Sequence, residues 1–374
     1  MYFQTQICPV SVVVESKQVR RLHLHSTHVG VVPRERVAAA EWMLDLQARI
    51  KRHMAGKPQD FSTIPVNLDW ASPFAREVYT ELRRVPAGET VTYGELAARV
   101  GRPTGARAVS RAMASNQIPL LIPCHRVVGA KGNLTGFSGA DGVATKAQML
   151  WAEGRRFALP SSTRLQGSIY SPFMFDLALY TLGRESSIKS IMEEVGKVFP
   201  EPGYPDNPFA SLIQTICYQQ LAGAAAESIF SRVKDQLGGD PEPDRVLLAG
   251  MDGLRATGLS GSKAATMLAL AGAVSDGDLV LSALASQPYD EMMATLTAVK
   301  GIGPWTIQMF AMFHLGHPDV FSPGDLGLRK AITALRGARE LVSLDTAERF
   351  ARRWRPFRTV ASWYLWRSLG TVTL

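Results

Sequence analysis

Residues 92–114 read Thr-Tyr-Gly-Glu-Leu-Ala-Ala-Arg-Val-Gly-Arg-Pro-Thr-Gly-Ala-Arg-Ala-Val-Ser-Arg-Ala-Met-Ala. Thr92 followed three residues later by Glu95 has the spacing of a capping box, in which hydroxyl and carboxylate each satisfy an orphan amide at a helix start. That helix closes at Gly101. After Gly101-Arg102-Pro103 a second helix is predicted from about Thr104 to Ala114, carrying Arg107 and Arg111 on neighbouring turns. Helix, short turn, basic helix is a helix-turn-helix pattern.

Upstream, the first 30 residues alternate, as in Ser11-Val12-Val13-Val14-Glu15 and Arg21-Leu22-His23-Leu24-His25, and predict short antiparallel strands. Helical periodicity follows in 34–54 and again in 73–84, where Phe74, Val78 and Leu82 share a face. Downstream, Arg155 to Ser171 lacks clear periodicity. Beyond it the pattern is helical, with turns at Gly203, Gly238-Gly239, Gly258, Gly301 and Gly316, no convincing strand-like alternation and no internal repeat. A chain of 374 residues exceeds what one core usually serves. We therefore expect two domains: an α+β domain over 1–157, with a small antiparallel sheet subdomain and a helical helix-turn-helix subdomain, then a linker over 158–178 and an all-α domain over 179–374.

Hydrophobic content of 46% with 20% charged residues is that of a globular chain rather than a disordered one. No apolar run approaches the roughly 18 residues of a membrane span. Met1-Tyr2-Phe3-Gln4-Thr5 lacks a charged leader and a cleavage site, so the expectation is a cytoplasmic protein, nucleoid-associated in a prokaryote. Cys8, Cys124 and Cys217 are too few and too scattered for a disulfide framework, a four-cysteine zinc site or an iron-sulfur cluster. No metal and no cofactor are expected. Of a formal net charge of +8, the first 157 residues carry 21 Lys and Arg against 12 Asp and Glu, and the remainder 20 against 21. Arginines bunch at 83, 84, 99, 102, 107 and 111, which points either to a polyanionic partner such as a phosphate backbone or to a solvated face.

Residues 123–128, Pro-Cys-His-Arg-Val-Val, put Cys124 beside an imidazole that can draw off its proton. An isolated pair of this kind is more often structural. The surroundings change that. Residues 91–97, 106–109, Asn116, 123–128, 132–139 and Glu153-Gly154 match in order and spacing the O6-alkylguanine-DNA alkyltransferases, which the chain resembles over most of 1–157. The resemblance implies irreversible transfer of an alkyl group from guanine to Cys124. It makes His125 the proton acceptor through a water, Glu153 the group that orients it, Asn116 a brace for the turn, and Tyr93 a donor to the departing base. Val127, Val128, Phe137 and Ser138 would wall the pocket. Arg107 would fill the gap left by a flipped base, with Arg111 on the same DNA-facing helix. Thiolate attack needs a low-pKa sulfur. Some family members carry a zinc in the N-terminal subdomain, for which only Cys8 and scattered histidines are present here, and Ser138-Gly139-Ala140-Asp141 replaces the usual double glycine after the serine.

Residues 296–306 hold Gly301-Ile302-Gly303 between helical segments, a tight turn whose amides can approach a phosphate. Such a turn is more often an ordinary helix connection. Asp325 follows after Pro323-Gly324 at the head of the next helix. Here the chain resembles the helix-hairpin-helix 3-methyladenine-DNA glycosylases II over roughly 179–370, including Asn207-Pro208-Phe209, Tyr218-Gln219-Gln220-Leu221 and residues 254–263. The resemblance makes Gly301, Gly303 and Thr306 DNA-binding and Asp325 the carboxylate that faces an oxocarbenium-like sugar. Where lyases of this fold carry lysine the chain has Trp305, so a monofunctional enzyme leaving an abasic site is implied. Trp305, with Trp366 and Phe209 as weaker candidates, would form an aromatic wall favouring cationic alkylbases, Trp366 being equally readable as a packing residue. Gln220, or Gln219 beside it, would wedge into the duplex or sit near the pocket. Gly324 replaces the first aspartate of the usual Pro-x-Asp-Asp.

The combined expectation is a monomer acting on double-stranded DNA with alkylated bases, without membrane association. Two rivals remain at this stage: an alkylation-responsive transcription regulator switched by Cys124 methylation, and a Cys-His hydrolase in the first domain.

Overall fold

The computed structural model describes residues 1–25, 41–159, 161–163, 165, 168–199, 203–204, 206–221 and 223–370. Residues 34–40 of the expected helix over 34–54 lie outside this set. The chain divides into two compact units, 1–167 and 168–374.

The first unit opens with a three-stranded antiparallel sheet, β1 (Tyr2–Phe3), β2 (Val10–Glu15) and β3 (Gln18–Leu24), in the order β1-β2-β3. Ser16 and Lys17 turn the β2–β3 hairpin with positive φ at both positions. Val10, Val12, Val19, Leu22 and Leu24 are buried on the inner face, each contributing roughly 1.5–3 kcal/mol. Helix α1 (Glu41–Met54) follows and buries Leu46, Ile50, His53 and Met54. Helix α2 (Pro73–Leu82) starts on Ser72, whose hydroxyl accepts from the Ala75 amide, and buries Ala75, Val78, Tyr79 and Leu82.

Strand β4 (Val91–Thr92) leads into α3 (Tyr93–Arg99), and the expected capping box is complete: the Glu95 amide donates to Thr92 Oγ1 and the Thr92 amide to Glu95 Oε2. Helix α4 (Ala106–Ala114) follows after a turn and packs on α3, burying Val109, Ala112 and Met113. The Tyr79 hydroxyl donates to Ala112 O at 2.5 Å, tying α4 to α2. Strand β5 (Val127–Val128) lies parallel to β4, pairing Val91 with Val127 and Thr92 with Val128. That short ladder brings the segment after Cys124 against the head of α3. Helix α5 (Val143–Ala152) closes the unit, with Glu153 at its C-cap.

The second unit is helical throughout its described elements: α6 (Pro172–Leu182), α7 (Ser186–Val195), α8 (Pro208–Tyr218), α9 (Gly223–Leu237), α10 (Pro243–Ala256), α11 (Gly261–Ser275), α12 (Tyr289–Thr297), α13 (Pro304–Phe313), α14 (Leu326–Leu335), α15 (Leu344–Ala351) and α16 (Arg358–Ser368). The linker expected over 158–178 is corrected. Helix α6 begins inside it and buries Met174, Phe175, Leu177 and Ala178, because that run is too apolar to leave in water. Helix α8 packs on α13, α9 and α11, and α14 on α15 and α16. Among the described residues no helix is long and apolar enough to cross a membrane.

Candidate active sites

In the first unit Cys124–Arg126 follow Pro123 and form a single buried 3-10 turn. Asn116 braces it: its Nδ2 donates to Ile122 O at 3.0 Å and its Oδ1 accepts from the Ile118 amide. His125 Nε2 donates to Glu153 Oε1 at 2.8 Å, while its buried Nδ1 has no hydrogen-bond partner among the described residues. The geometry selects the tautomer with the proton on Nε2. Nδ1 is therefore the basic nitrogen. Burial keeps the His125 pKa below the ordinary histidine value, against the pull of Glu153.

Glu153 collects more donors than the sequence suggested. His53, from α1, donates through Nε2 at 2.9 Å while its Nδ1 accepts from the Gln59 amide. Arg126 contributes Nε and Nη2, the latter at 2.8 Å, and anchors Nη1 on Val85 O. The Gly88 amide reaches Oε2 at 3.3 Å. Burial opposes ionisation of Glu153, but His125, His53 and Arg126 outweigh it and hold the carboxyl well below the ordinary range. His53, His125 and Glu153 have metal-like spacing, yet their facing atoms are spent on one another and the Arg126 guanidinium stands among them. A cation there would meet a fixed positive charge.

The expected low-pKa sulfur is corrected for this resting state. Burial pushes the Cys124 thiol up, against the Asn116 amide and the Lys146 ammonium, which pull it down. Lys146 is itself fully buried in α5, donates from Nζ to Val127 O at 2.6 Å, and is lowered by burial to about 8. Tyr93 Oη hydrogen-bonds Thr135 Oγ1 at 2.9 Å. Val127 and Val128 are buried, Phe137 is half-buried and Ser138 exposed. At Gly139 a Cβ would stand 2.8 Å from the Phe137 ring, so a side chain there would push the ring aside. Arg107 and Arg111 are exposed on α4.

In the second unit Asp325 is the N-cap of α14, and its Oδ1 accepts from the Leu328 amide at 2.9 Å. Two indoles add to its shell. Trp366 Nε1 donates to Oδ1 at 2.9 Å, and Trp305 Nε1 to Oδ2 at 3.2 Å. Both indoles expected in an aromatic wall thus stand at Asp325 and turn their N–H edges to its carboxylate. Gly301 adopts φ +91°, and a Cβ there would lie 1.9 Å from Thr266 Oγ1 on α11, so the hairpin requires glycine. Gly303 caps α13, and Ile302 anchors the turn in the core. Thr306 was expected to contact DNA, but its side chain is buried and its hydroxyl accepts from Gln219 Nε2 at 2.8 Å. Gln219 is half-buried, and Gln220 is exposed at φ +57°. Phe209 is a core residue.

The family described as 6-O-methylguanine DNA methyltransferase, DNA binding domain, matches residues 73–155. A methylated-DNA–protein-cysteine methyltransferase from Shigella flexneri is 38% identical over 138 residues, covering 37% of this chain and 77% of the relative. The chain belongs to the methylated-DNA–protein-cysteine methyltransferases. The methyltransferase is joined in the same chain to an HhH-GPD superfamily base excision DNA repair domain, which matches residues 213–356. The DNA-3-methyladenine glycosylase 1 of Schizosaccharomyces pombe is 29% identical over 194 residues, 51% of this chain and 85% of the relative. A solved S. pombe 3-methyladenine DNA glycosylase in complex with abasic DNA is 27% identical, covering 52% of this chain and 97% of that one, with a TM-score of 0.47.

Within the methyltransferase unit the structure brings Cys124, His125, Glu153 and Asn116 together and adds His53, Arg126 and Lys146, which the sequence reading missed. For Lys146 a signal existed. It lies seven residues before Glu153, hence on the same side of α5 as this C-cap residue, and is the one charged residue of the helix. For His53, 100 residues from Glu153, none did.

Proposed function

We propose that the chain repairs alkylated DNA by two chemistries: irreversible transfer of the O6-alkyl group of guanine to Cys124, and hydrolytic excision of ring-nitrogen alkylated purines of the 3-methyladenine and 7-methylguanine type, leaving an abasic site. The observation that carries the first is the unpartnered Nδ1 of His125 beside Cys124, its tautomer held by Glu153. As the alkylated base enters, the Cys124 proton passes to Nδ1 and Glu153 stabilises the resulting imidazolium. Sulfur attacks the alkyl carbon in line, the carbon–oxygen bond breaks with its electron pair going to guanine, and the Tyr93 phenol donates a hydrogen bond to the base as charge develops. The proton lost by the thiol matches the one guanine regains. Because the thioether does not turn over, each molecule acts once.

Duplex DNA docks on the helix-turn-helix through exposed Arg107 and Arg111, with Arg107 occupying the gap left by the flipped guanine. In the second unit the hairpin at Gly301 and Gly303 grips the backbone. Asp325 stabilises the sugar cation as a positively charged purine departs with the glycosidic electron pair. The regulator reading draws no support from the relatives, all of which named above are repair proteins.

The test is mass spectrometry of the Cys124 peptide after incubation with O6-methylguanine DNA. A mass gain of one methyl group, stoichiometric with protein and absent in Cys124→Ser, is expected; an unmodified wild-type peptide, or multiple turnovers, overturns the assignment. In parallel, base release from methylated DNA should disappear in Asp325→Asn and persist in Cys124→Ser.

A further inference from the structure

We propose that Trp366, Trp305 and Gly327 are positioning residues that lock the Asp325 carboxylate into place as a fixed counter-ion, using neutral donors only. The inference rests on the reading that Asp325 faces the reacting sugar. A carboxylate offers about four lone-pair directions. On Asp325 three are occupied: Oδ1 takes the Leu328 amide and the Trp366 indole, and Oδ2 takes the Trp305 indole. Among the described residues one direction, on Oδ2, stays open. Since none of the three donors carries charge, they orient the carboxylate without cancelling its negative charge, as a guanidinium would.

Each donor comes from an element with its own anchor. Trp366 is 5% exposed near the end of α16, its ring centroid 5.6 Å from that of Phe313. Helix α16 is held at its start by Arg358, which donates to Asp319 Oδ1 at 2.7 Å and to Glu348 Oε1 at 3.0 Å. Trp305 sits in the first turn of α13, two residues after Gly303, so the hairpin and one carboxylate donor share a helix. Gly327 is the opening through which the indole edge passes. A Cβ at 327 would stand 3.0 Å from Trp366 Cδ1, 3.1 Å from Trp366 Nε1 and 3.1 Å from Asp325 Oδ1, closer than side chains ordinarily pack. Glycine within a helix is unfavourable relative to alanine, and here it leaves room for the Trp366–Asp325 bond.

The chemical consequence concerns which bases can leave. The donors around Asp325 are two indole N–H groups and a backbone amide, none of which gives up a proton to a departing base. The glycosidic electron pair goes to a purine that is already cationic, which departs neutral; the sugar cation is held by Asp325 until water adds and releases its proton to solvent. A neutral lesion such as hypoxanthine would need an acid that this cluster does not supply.

The full chain carrying Trp366→Phe, Gly327→Ala or Asp325→Asn tests this by single-turnover base release from duplexes containing 7-methylguanine or hypoxanthine. Trp366→Phe keeps the ring and removes the N–H; it and Gly327→Ala should each slow 7-methylguanine release about 10- to 100-fold with DNA affinity nearly unchanged. A merely structural role would not produce that split. Indole ¹⁵N–¹H spectra give a readout independent of activity: two Nε1–H resonances should shift on Asp325→Asn, and one of them on Gly327→Ala. Wild-type rates in both Trp366→Phe and Gly327→Ala, with Asp325→Asn inactive, would overturn the clamp and leave the function standing. An active Asp325→Asn would overturn the function itself. Indole resonances indifferent to Asp325→Asn, or hypoxanthine released as fast as 7-methylguanine, would also sink the proposal.

Discussion

Both units hold a carboxylate in place with several hydrogen bonds, and they do it in opposite ways. Glu153 is buried and receives His53, His125, the Gly88 amide and a guanidinium, so its charge is matched by Arg126. Asp325 is half-buried and receives two indoles and a backbone amide, so its charge is left unmatched. The difference follows from the tasks proposed for them. Glu153 acts through His125 and never meets the substrate, so its charge can be consumed within the protein. Asp325 must face a cation that exists only during the reaction, and a resident counter-charge would blunt it.

The harshest way to break this comparison is to neutralise each carboxylate with its own amide. Glu153→Gln leaves Arg126 buried without its anion, which should destabilise the first unit by about 3–5 kcal/mol and abolish alkyl transfer, leaving base release untouched. Asp325→Asn keeps the N-cap acceptor and removes no matched charge. Its unit should lose no more than about 1 kcal/mol while base release disappears. Thermal melts of both variants beside the two activity measurements decide it; equal destabilisation would dissolve the contrast. The pH dependence carries the same signature. A carboxyl held far below its unfolded value of about 4.3 contributes stability above that pH and loses it as the pH falls. His125, also lowered, begins the loss earlier, because below about pH 6.5 the unfolded chain takes up a proton that the buried imidazole resists. The first unit should therefore weaken below about pH 6.5, and Glu153→Gln should flatten the part below about 4.3.

A smaller effect of opposite sign is expected at Lys146. Its lowered pKa, about 8, means that at neutral pH the folded chain keeps a desolvated ammonium that the unfolded chain would hydrate freely. Lys146→Met should stabilise the first unit by about 1–3 kcal/mol. The same change removes a charge that favours the Cys124 thiolate, so alkyl transfer should slow. Stabilisation without loss of rate would show that the lysine is a packing feature only.

How far the sequence carried these sites depended on the range of the interactions. The capping box at Thr92 and Glu95, the Cys124-His125 pair and the N-cap position of Asp325 are local, and spacing alone exposes local geometry. The two-residue ladder between Val91 and Val127 is too short to leave a periodic trace. His53 reaches Glu153 only because α1 packs beside α5, which no pattern in 41–54 announces. Trp305 and Trp366 were legible as aromatic residues belonging near Asp325. That their N–H edges meet its carboxylate depends on side-chain rotation, which leaves no trace in the sequence.

The gentlest test concerns the loop over the first site. Ala140 follows Gly139 and adopts φ +40°, a left-handed conformation that costs an L-residue about 1 kcal/mol and glycine almost nothing. Its amide still donates to Leu24 O at 3.0 Å, so the sheet holds the loop in this conformation. Ala140→Gly relieves the strain but also frees the unfolded chain, and the two effects oppose each other. With the native conformation unfavourable for alanine, relief should win by about 0.5 kcal/mol, visible as a small rise in the melting temperature of the first unit. Glycine also loosens the segment next to Phe137 and Ser138. If that segment limits which alkyl groups reach Cys124, the variant should gain on O6-benzylguanine relative to O6-methylguanine, while the second unit, whose carboxylate shares no residue with this loop, keeps its rate.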